Sequence, residues 1–176
     1  MIFPEVNQDW TLFLDRDGVI NVRKMGGYIE NIEQFEFLPE AKEAIAAFSK
    51  IFKYVFVVTN QQGISKGIMT ESNLFDIHRY MTNEIELAGG KIDACYHAPG
   101  LKATDVTRRK PFPGMALDAK ENFPTVDFRK SIMVGDTDSD IQFGKNLGMK
   151  TIRIKTLEPI GIEADATVNN LKEILG

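Results

Sequence analysis

Residues 12–21 read LFLDRDGVIN: three apolar side chains, then Asp15 and Asp17 flanking Arg16, then Gly18. Asp is a poor strand former, and acids belong on polar surfaces. One acid after an apolar run is a turn residue. Two of them at i and i+2, closing a run with the character of a buried strand, suggest a site.

The rest of the chain supplies the sheet to which that strand belongs. Apolar strand candidates are 11–15, 54–60, 92–97, 131–136 and 151–155, with a weaker one at 165–168. Helix candidates lie between them. The first, 39–52, opens on Pro39 in its first turn; the second, 70–88, has Thr70 as cap and Leu74, Ile77, Met81 and Ile85 at helical spacing. Others follow at 114–122, at 139–147 (closed by Gly148), and a short one at 170–175. Near-continuous apolar strands separated by helices predict an α/β fold, a parallel sheet sandwiched by helices. Ligands bind such sheets beyond the carboxyl ends of the strands. Those ends carry Asp15 with Asp17, Thr59 with Asn60, Cys95 with His97, and Asp136.

With 176 residues, the expectation is one domain spanning 1–176. At 43% hydrophobic and 26% charged residues, the composition excludes disordered, fibrous and membrane classes. The opening MIFPEVNQDW lacks the basic stretch and apolar core of a secretion signal, and one cysteine, Cys95, permits no internal disulfide. A cytoplasmic monomer is therefore expected. A net charge of -4 gives no general attraction to nucleic acid or anionic lipid.

The acids combine into chemistry. In GDTDSD (135–140), Asp136 ends a strand and Asp140 lies four residues on, on the same side if a helix has begun. Asp15, Asp17, Asp136 and Asp140 converge if the first and fourth strands are neighbours. Close pairs of anions repel by about 1 kcal/mol in water and by more when partly buried, so a hard cation such as Mg²⁺ is needed. With Asp17 protonated, one divalent cation and one lysine, Lys110, neutralise the remaining three carboxylates. The chemistry this permits is phosphoryl transfer to Asp15 as nucleophile, with Asp17 as acid and base, its pKa raised by neighbouring anions. The Thr59 hydroxyl would hold phosphoryl oxygens, Lys110 and Mg²⁺ would offset their charge, and Asn60 can add hydrogen bonds.

LDRDGVIN, VVTNQQGISKG, RRKPFPGM and VGDTDSD resemble, in order, the four motifs of the haloacid dehalogenase (HAD) superfamily of aspartate-nucleophile phosphatases. The DRDGVIN and TNQQG forms are most similar to the branch of heptose-bisphosphate and histidinol-phosphate phosphatases. The resemblance implies a Rossmann-like sheet of order 5-4-1-2-3 and Mg²⁺ held by the Asp15 carboxylate, the Asp17 carbonyl and Asp136, with Asp140 behind them. It assigns Asp15, Asp17, Thr59 and Lys110 to catalysis and Arg23, Asn60, Gln61 and Arg109 to the substrate, a small phosphorylated metabolite.

Members of that branch often hold a structural zinc through a CxH and a CxC pair. Here Cys95 and His97 match the first pair, but Val106 and Arg108 occupy the second pair's positions. Two ligands cannot complete the tetrahedral site, so no zinc is expected, and the loop from Pro99 to Arg108 is ordered by other contacts or mobile. The spacing leaves no room for a cap domain. Selectivity should come from loops 21–31 and 98–109, to which Arg23, Lys24, Lys102, Arg108 and Arg109 give a basic bias suited to a second anionic group.

The blander readings are these. Asp138 is a helix N-cap or first-turn acid, His78 a surface or boundary side chain, and QQGISKG a tight turn, because it lacks phosphate-loop spacing. Rival functions are a nucleic-acid 3′-phosphatase and a non-enzymatic phosphoacceptor switch. The acidic net charge opposes the first, and Asp17, which would hasten loss of the phosphoryl group, opposes the second.

Overall fold

The computed structural model describes residues 1–176. Six strands form one parallel sheet: β1 (Thr11–Leu14), β2 (Tyr54–Asn60), β3 (Ala94–Ala98), β4 (Ser131–Gly135), β5 (Lys150–Ile154) and β6 (Ala166–Val168). Their order is β3-β2-β1-β4-β5-β6. This is the expected 5-4-1-2-3 arrangement, extended at one edge by the weaker strand near 165–168.

The period-two alternation of β-strands sorts the apolar residues of the central strands onto two faces. Leu12, Leu14, Val55, Val57, Ile132 and Val134 join one core with residues of α1 (Ala41–Ile51) and α2 (Glu71–Leu87). Phe13, Phe56, Val58 and Met133 join the other with residues of α3 (Gly114–Asn122) and α4 (Asp138–Asn146). Because both faces are covered, β1 and β4 are buried throughout. No folded layer is inserted between the strands, and no helix is long and apolar enough to cross a membrane.

Several boundaries differ from expectation for local reasons. Helix α1 starts at Ala41 rather than 39 because Glu40 adopts a left-handed conformation (φ 60°), which ends the turn begun at Pro39. Thr70 caps α2 as expected, with Asn73 completing a reciprocal capping box. Strand β3 begins at Ala94, since the Asp93 carboxylate accepts the Val55 N–H at 2.8 Å. Thr137 caps α4, Asp138 is its first-turn acid, the second of the two expected roles, and Asp140 returns the bond in a second capping box. The last helical segment is a short 3-10 turn, Lys172–Leu175. The loop 99–108 is ordered: Asp105 Oδ1 accepts the N–H groups of Thr107 and Arg108, and Arg108 Nε donates to the His97 carbonyl at 2.7 Å.

Candidate active site

Parallel register brings the carboxylates together. Leu14 is aligned with Val134, and the Asp15 N–H donates to the Val134 carbonyl at 2.9 Å, so β1 and β4 end side by side. One oxygen from each of Asp15, Asp136 and Asp140 lies within 4.8 Å of the others. Two glycines permit this approach. A Cβ on Gly18 would fall 2.4 Å from Asp136 Oδ2, and Gly18 also has φ +89°. A Cβ on Gly135 would meet the Asp140 Cβ at 2.1 Å.

Lys110 is the buried counter-charge. Its Nζ lies 2.8 Å from Asp15 Oδ1, 2.6 Å from Asp140 Oδ1 and 2.6 Å from the Val58 carbonyl. Burial opposes its charge, but Asp140 and Asp15 raise its pKa above the ordinary lysine value. Asn60 fastens the same residue from behind: its Oδ1 accepts the Lys110 N–H at 3.0 Å and its Nδ2 donates to the Lys110 carbonyl at 3.3 Å. The Asn60 amide, expected at the substrate, is thus engaged with the chain that carries the lysine.

Burial, with Asp140 as a close anion, raises the pKa values of Asp15 and Asp136 despite Lys110. Asp136 Oδ1 is buried with no hydrogen-bond partner. Three gathered carboxylates, one with an orphaned oxygen, fit a small divalent cation with oxygen preference such as Mg²⁺.

The expectation of a protonated Asp17 is corrected. Arg16 is fully buried, and its Nη2 donates to both Asp17 oxygens at 2.9 Å. Asn21 Nδ2 adds a bond at 3.0 Å and Gln61 Nε2 another at 2.9 Å. Burial pushes the Asp17 carboxyl up, but the Arg16 guanidinium and these hydrogen bonds hold it below the usual carboxylate range. The charge count from sequence omitted Arg16. Gln61 was expected to meet the substrate; instead it is buried and also donates to Thr59 Oγ1 at 2.8 Å, while Gln62 faces the cavity. His78 is corrected too. It is buried, not at the surface, its Nε2 lies 3.5 Å from Arg16 Nη1, and burial followed by Arg16 drives its pKa down to about 3.

Thr59, Asp15, Asp17 and Lys110 open onto a cavity of about 800 Å³ whose wall also carries Arg23, Lys24, Lys66, Lys102 and Arg109. Arg109 Nη1 is buried and unpartnered. Arg23 Nη1 donates to Asp136 Oδ2 at 2.8 Å and to Glu158 Oε1 at 3.1 Å. Arg108, expected to add to the basic bias, is turned away and paired with Asp118. His97 is paired with Glu71 at 2.7 Å.

Sequence reasoning missed Arg16, Asn21, Arg153 and Glu158. Arg16 alone carried a signal, as a cation between two acids at the end of a buried strand. Asn21 bonds Asp17 only four residues away, whereas Arg153 and Glu158 act through partners distant in sequence.

This Rossmann-like sheet, with an acidic cluster and buried lysine at its carboxyl edge, defines the class of HAD-like hydrolases. The HAD-hydrolase-like family model matches residues 107–173. A D-glycero-α-D-manno-heptose-1,7-bisphosphate 7-phosphatase of Campylobacter jejuni is 40% identical over 164 residues, covering 93% of this chain and 92% of that protein. A D-glycero-β-D-manno-heptose-1,7-bisphosphate 7-phosphatase of Pasteurella multocida is 32% identical over 169 residues, 92% of this chain and 90% of its own. Among solved structures, a D,D-heptose 1,7-bisphosphate phosphatase from B. bronchiseptica, complexed with magnesium and phosphate, superimposes with a TM-score of 0.81 at 26% identity, covering 94% and 95% of the two chains. The chain belongs to the heptose-1,7-bisphosphate 7-phosphatase family of HAD-like hydrolases.

Proposed function

We propose that this chain is a Mg²⁺-dependent phosphomonoesterase that removes the 7-phosphate of D-glycero-D-manno-heptose 1,7-bisphosphate through an aspartyl phosphate on Asp15. The observation that carries this reading is the state of Asp15. Lys110 holds Oδ1 at 2.8 Å, leaving Oδ2 as the oxygen for in-line attack from the cavity wall. Asp15, Asp136 and the Asp17 carbonyl would hold Mg²⁺, with Asp140 behind them on Lys110. When bound, the cation would offset phosphoryl charge that the lysine alone cannot balance.

In the first step Oδ2 forms a bond to phosphorus as the bond to the sugar oxygen breaks, and Asp17 gives that oxygen a proton. An arriving phosphate brings negative charge beside Asp17, opposing Arg16 and favouring the protonated carboxyl. In the second step Asp17, ionised again and held by Arg16, takes a proton from the water that attacks phosphorus, and Asp15 is released. The Thr59 hydroxyl, oriented by Gln61, donates to a phosphoryl oxygen. Arg109, with its buried free nitrogen, and the lysines at 66 and 102 suit the second phosphate.

The proposed enzyme holds no structural zinc. Supporting this, Val106 offers no ligand atom, and Arg108 ties the loop to His97 and Asp118 by hydrogen bonds instead.

The test is kcat/KM across a panel of heptose 1,7-bisphosphate, its two monophosphates, histidinol phosphate and a 3′-phosphorylated oligonucleotide, with Mg²⁺ and with a zinc-selective chelator. The bisphosphate should lead, and the chelator should change nothing. Preference for histidinol phosphate or the oligonucleotide would replace the substrate assignment. Loss of activity with the chelator would refute the zinc reading.

A further inference from the structure

The cavity is divided by charge about the nucleophile. Strand order places β2 and β3 on one side of β1, and β4 and β5 on the other. The segments following β2 and β3 bring Lys66, Lys102 and Arg109 to the wall. Asp105, the acid among them, uses Oδ1 to accept loop N–H groups. The segments following β4 and β5 bring Asp138 and Glu158. An anionic group is therefore drawn to one flank and repelled from the other.

Glu158 is held in place by a buried scaffold. Arg153, on β5, is 1% exposed; its Nη1 donates to the Asp136 carbonyl at 2.9 Å, and its Nη2 to Asp138 Oδ1 at 2.6 Å and the Ile162 carbonyl at 2.9 Å. Asp138 in turn accepts the N–H groups of Gly161 at 2.9 Å and Ile162 at 3.1 Å. A Cβ on Gly161 would fall 2.7 Å from Asp138 Oδ2, so the loop lies directly on that carboxylate. These bonds pin the loop after β5 beside the site, where Glu158 Oε1 takes up Arg23 Nη1. Both of Arg23's ion pairs use Nη1, which leaves Nε and Nη2 as donors beside the Glu158 Oε2 acceptor.

We propose that Glu158 is a specificity-determining residue. It and Arg23 form a donor–acceptor pair that receives the uncharged, hydroxyl-bearing part of the substrate on the β4/β5 flank, and its charge directs the second phosphate to the β2/β3 flank. A carboxylate accepts hydrogen bonds from sugar hydroxyls but repels a phosphate, and a guanidinium already facing two carboxylates has little uncompensated charge to offer one. This assignment rests on the reading of the enzyme as a sugar-bisphosphate phosphatase.

The experiment compares the wild-type chain with Glu158→Ala on heptose 1,7-bisphosphate and on p-nitrophenyl phosphate, which has neither hydroxyls nor a second phosphate. The ratio of the two kcat/KM values should fall about tenfold or more in the variant, as expected when a site loses a group that pairs with substrate hydroxyls. A ratio within about twofold of wild type, whether both activities fall together or neither changes, would overturn the role of Glu158 alone. A wild-type chain that hydrolyses p-nitrophenyl phosphate but not the bisphosphate would overturn the substrate reading, and the role of Glu158 with it.

Discussion

Arg16 donates from Nη2 to both carboxylate oxygens of Asp17 at 2.9 Å and from Nε to Oδ1 at 3.3 Å, and does so from a position with no solvent exposure. A buried guanidinium therefore stands directly behind the proposed acid and base. Removing it by Arg16→Met leaves Asp17 with only Asn21 and Gln61. The Asp17 pKa then rises, so the ionised base is lost at a higher pH and the acidic limb of the kcat profile moves toward neutrality. Stability should fall toward the low end of about 3–5 kcal/mol, because Asp17 keeps some contact with water. Steady-state kinetics against pH and a urea melt check both, and an unmoved acidic limb would contradict the account.

Lys110 lies between Asp15 and Asp140 and is 3% exposed. Lys110→Met removes the cation that orients the nucleophile and offsets phosphoryl charge, and kcat should drop by about 100- to 1000-fold. Asn60→Ala releases the peptide of the same lysine and should give a smaller loss in the same parameter. Kinetics in which Asn60→Ala raises KM alone would return Asn60 to a direct substrate contact.

Gly18→Ala tests the crowding at Asp136. A left-handed residue other than glycine costs about 1–2 kcal/mol. The added Cβ, 2.4 Å from Asp136 Oδ2, must also displace that carboxylate. Affinity for Mg²⁺, measured by calorimetric titration, should fall while circular dichroism stays unchanged. Undiminished affinity would mean that Asp136 does not need its observed position.

His78 ties stability to pH. Its folded pKa is lowered to about 3 from an ordinary 6.5, so the unfolded chain takes up a proton that the folded chain refuses as pH falls through this window. Stability is therefore lost progressively below about pH 6.5, with a slope of up to about 1.4 kcal/mol per pH unit from this residue. His78→Gln should flatten the decline between pH 6 and pH 4 in denaturant melts done at about half-unit steps. An identical decline in the variant would assign it to other groups.

Much of this was legible in the sequence. Asp15, Thr59 and Asp136 could be placed at one edge because apolar strands end at them and parallel sheets gather strand ends. Thr70 announced α2 through local capping chemistry. Contacts between distant segments were not legible: Arg16 with His78 is a pairing across 62 residues, and it reversed the expected exposure of the histidine. Gln61 was expected at the substrate, and Asn60, which does line the cavity, was not seen to fasten Lys110, because a motif shows residue types, not the direction in which an amide points. Glu158 belongs to no motif, and its place depends on Arg153 and Asp138, which meet only when β5 lies beside β4. The start of α1 was misplaced by the conformation of Glu40, which nothing in its residue type announces.

The central claim is that Asp15 carries the phosphoryl group. Acid quenching during turnover of heptose 1,7-bisphosphate, followed by mass spectrometry of the peptide containing residues 11–23, tests it directly. The account predicts one phosphoryl group on Asp15, absent from Asp15→Asn, which should be folded and inactive. Continued phosphate release with no modified Asp15, or a phosphoryl group on another residue, would contradict it.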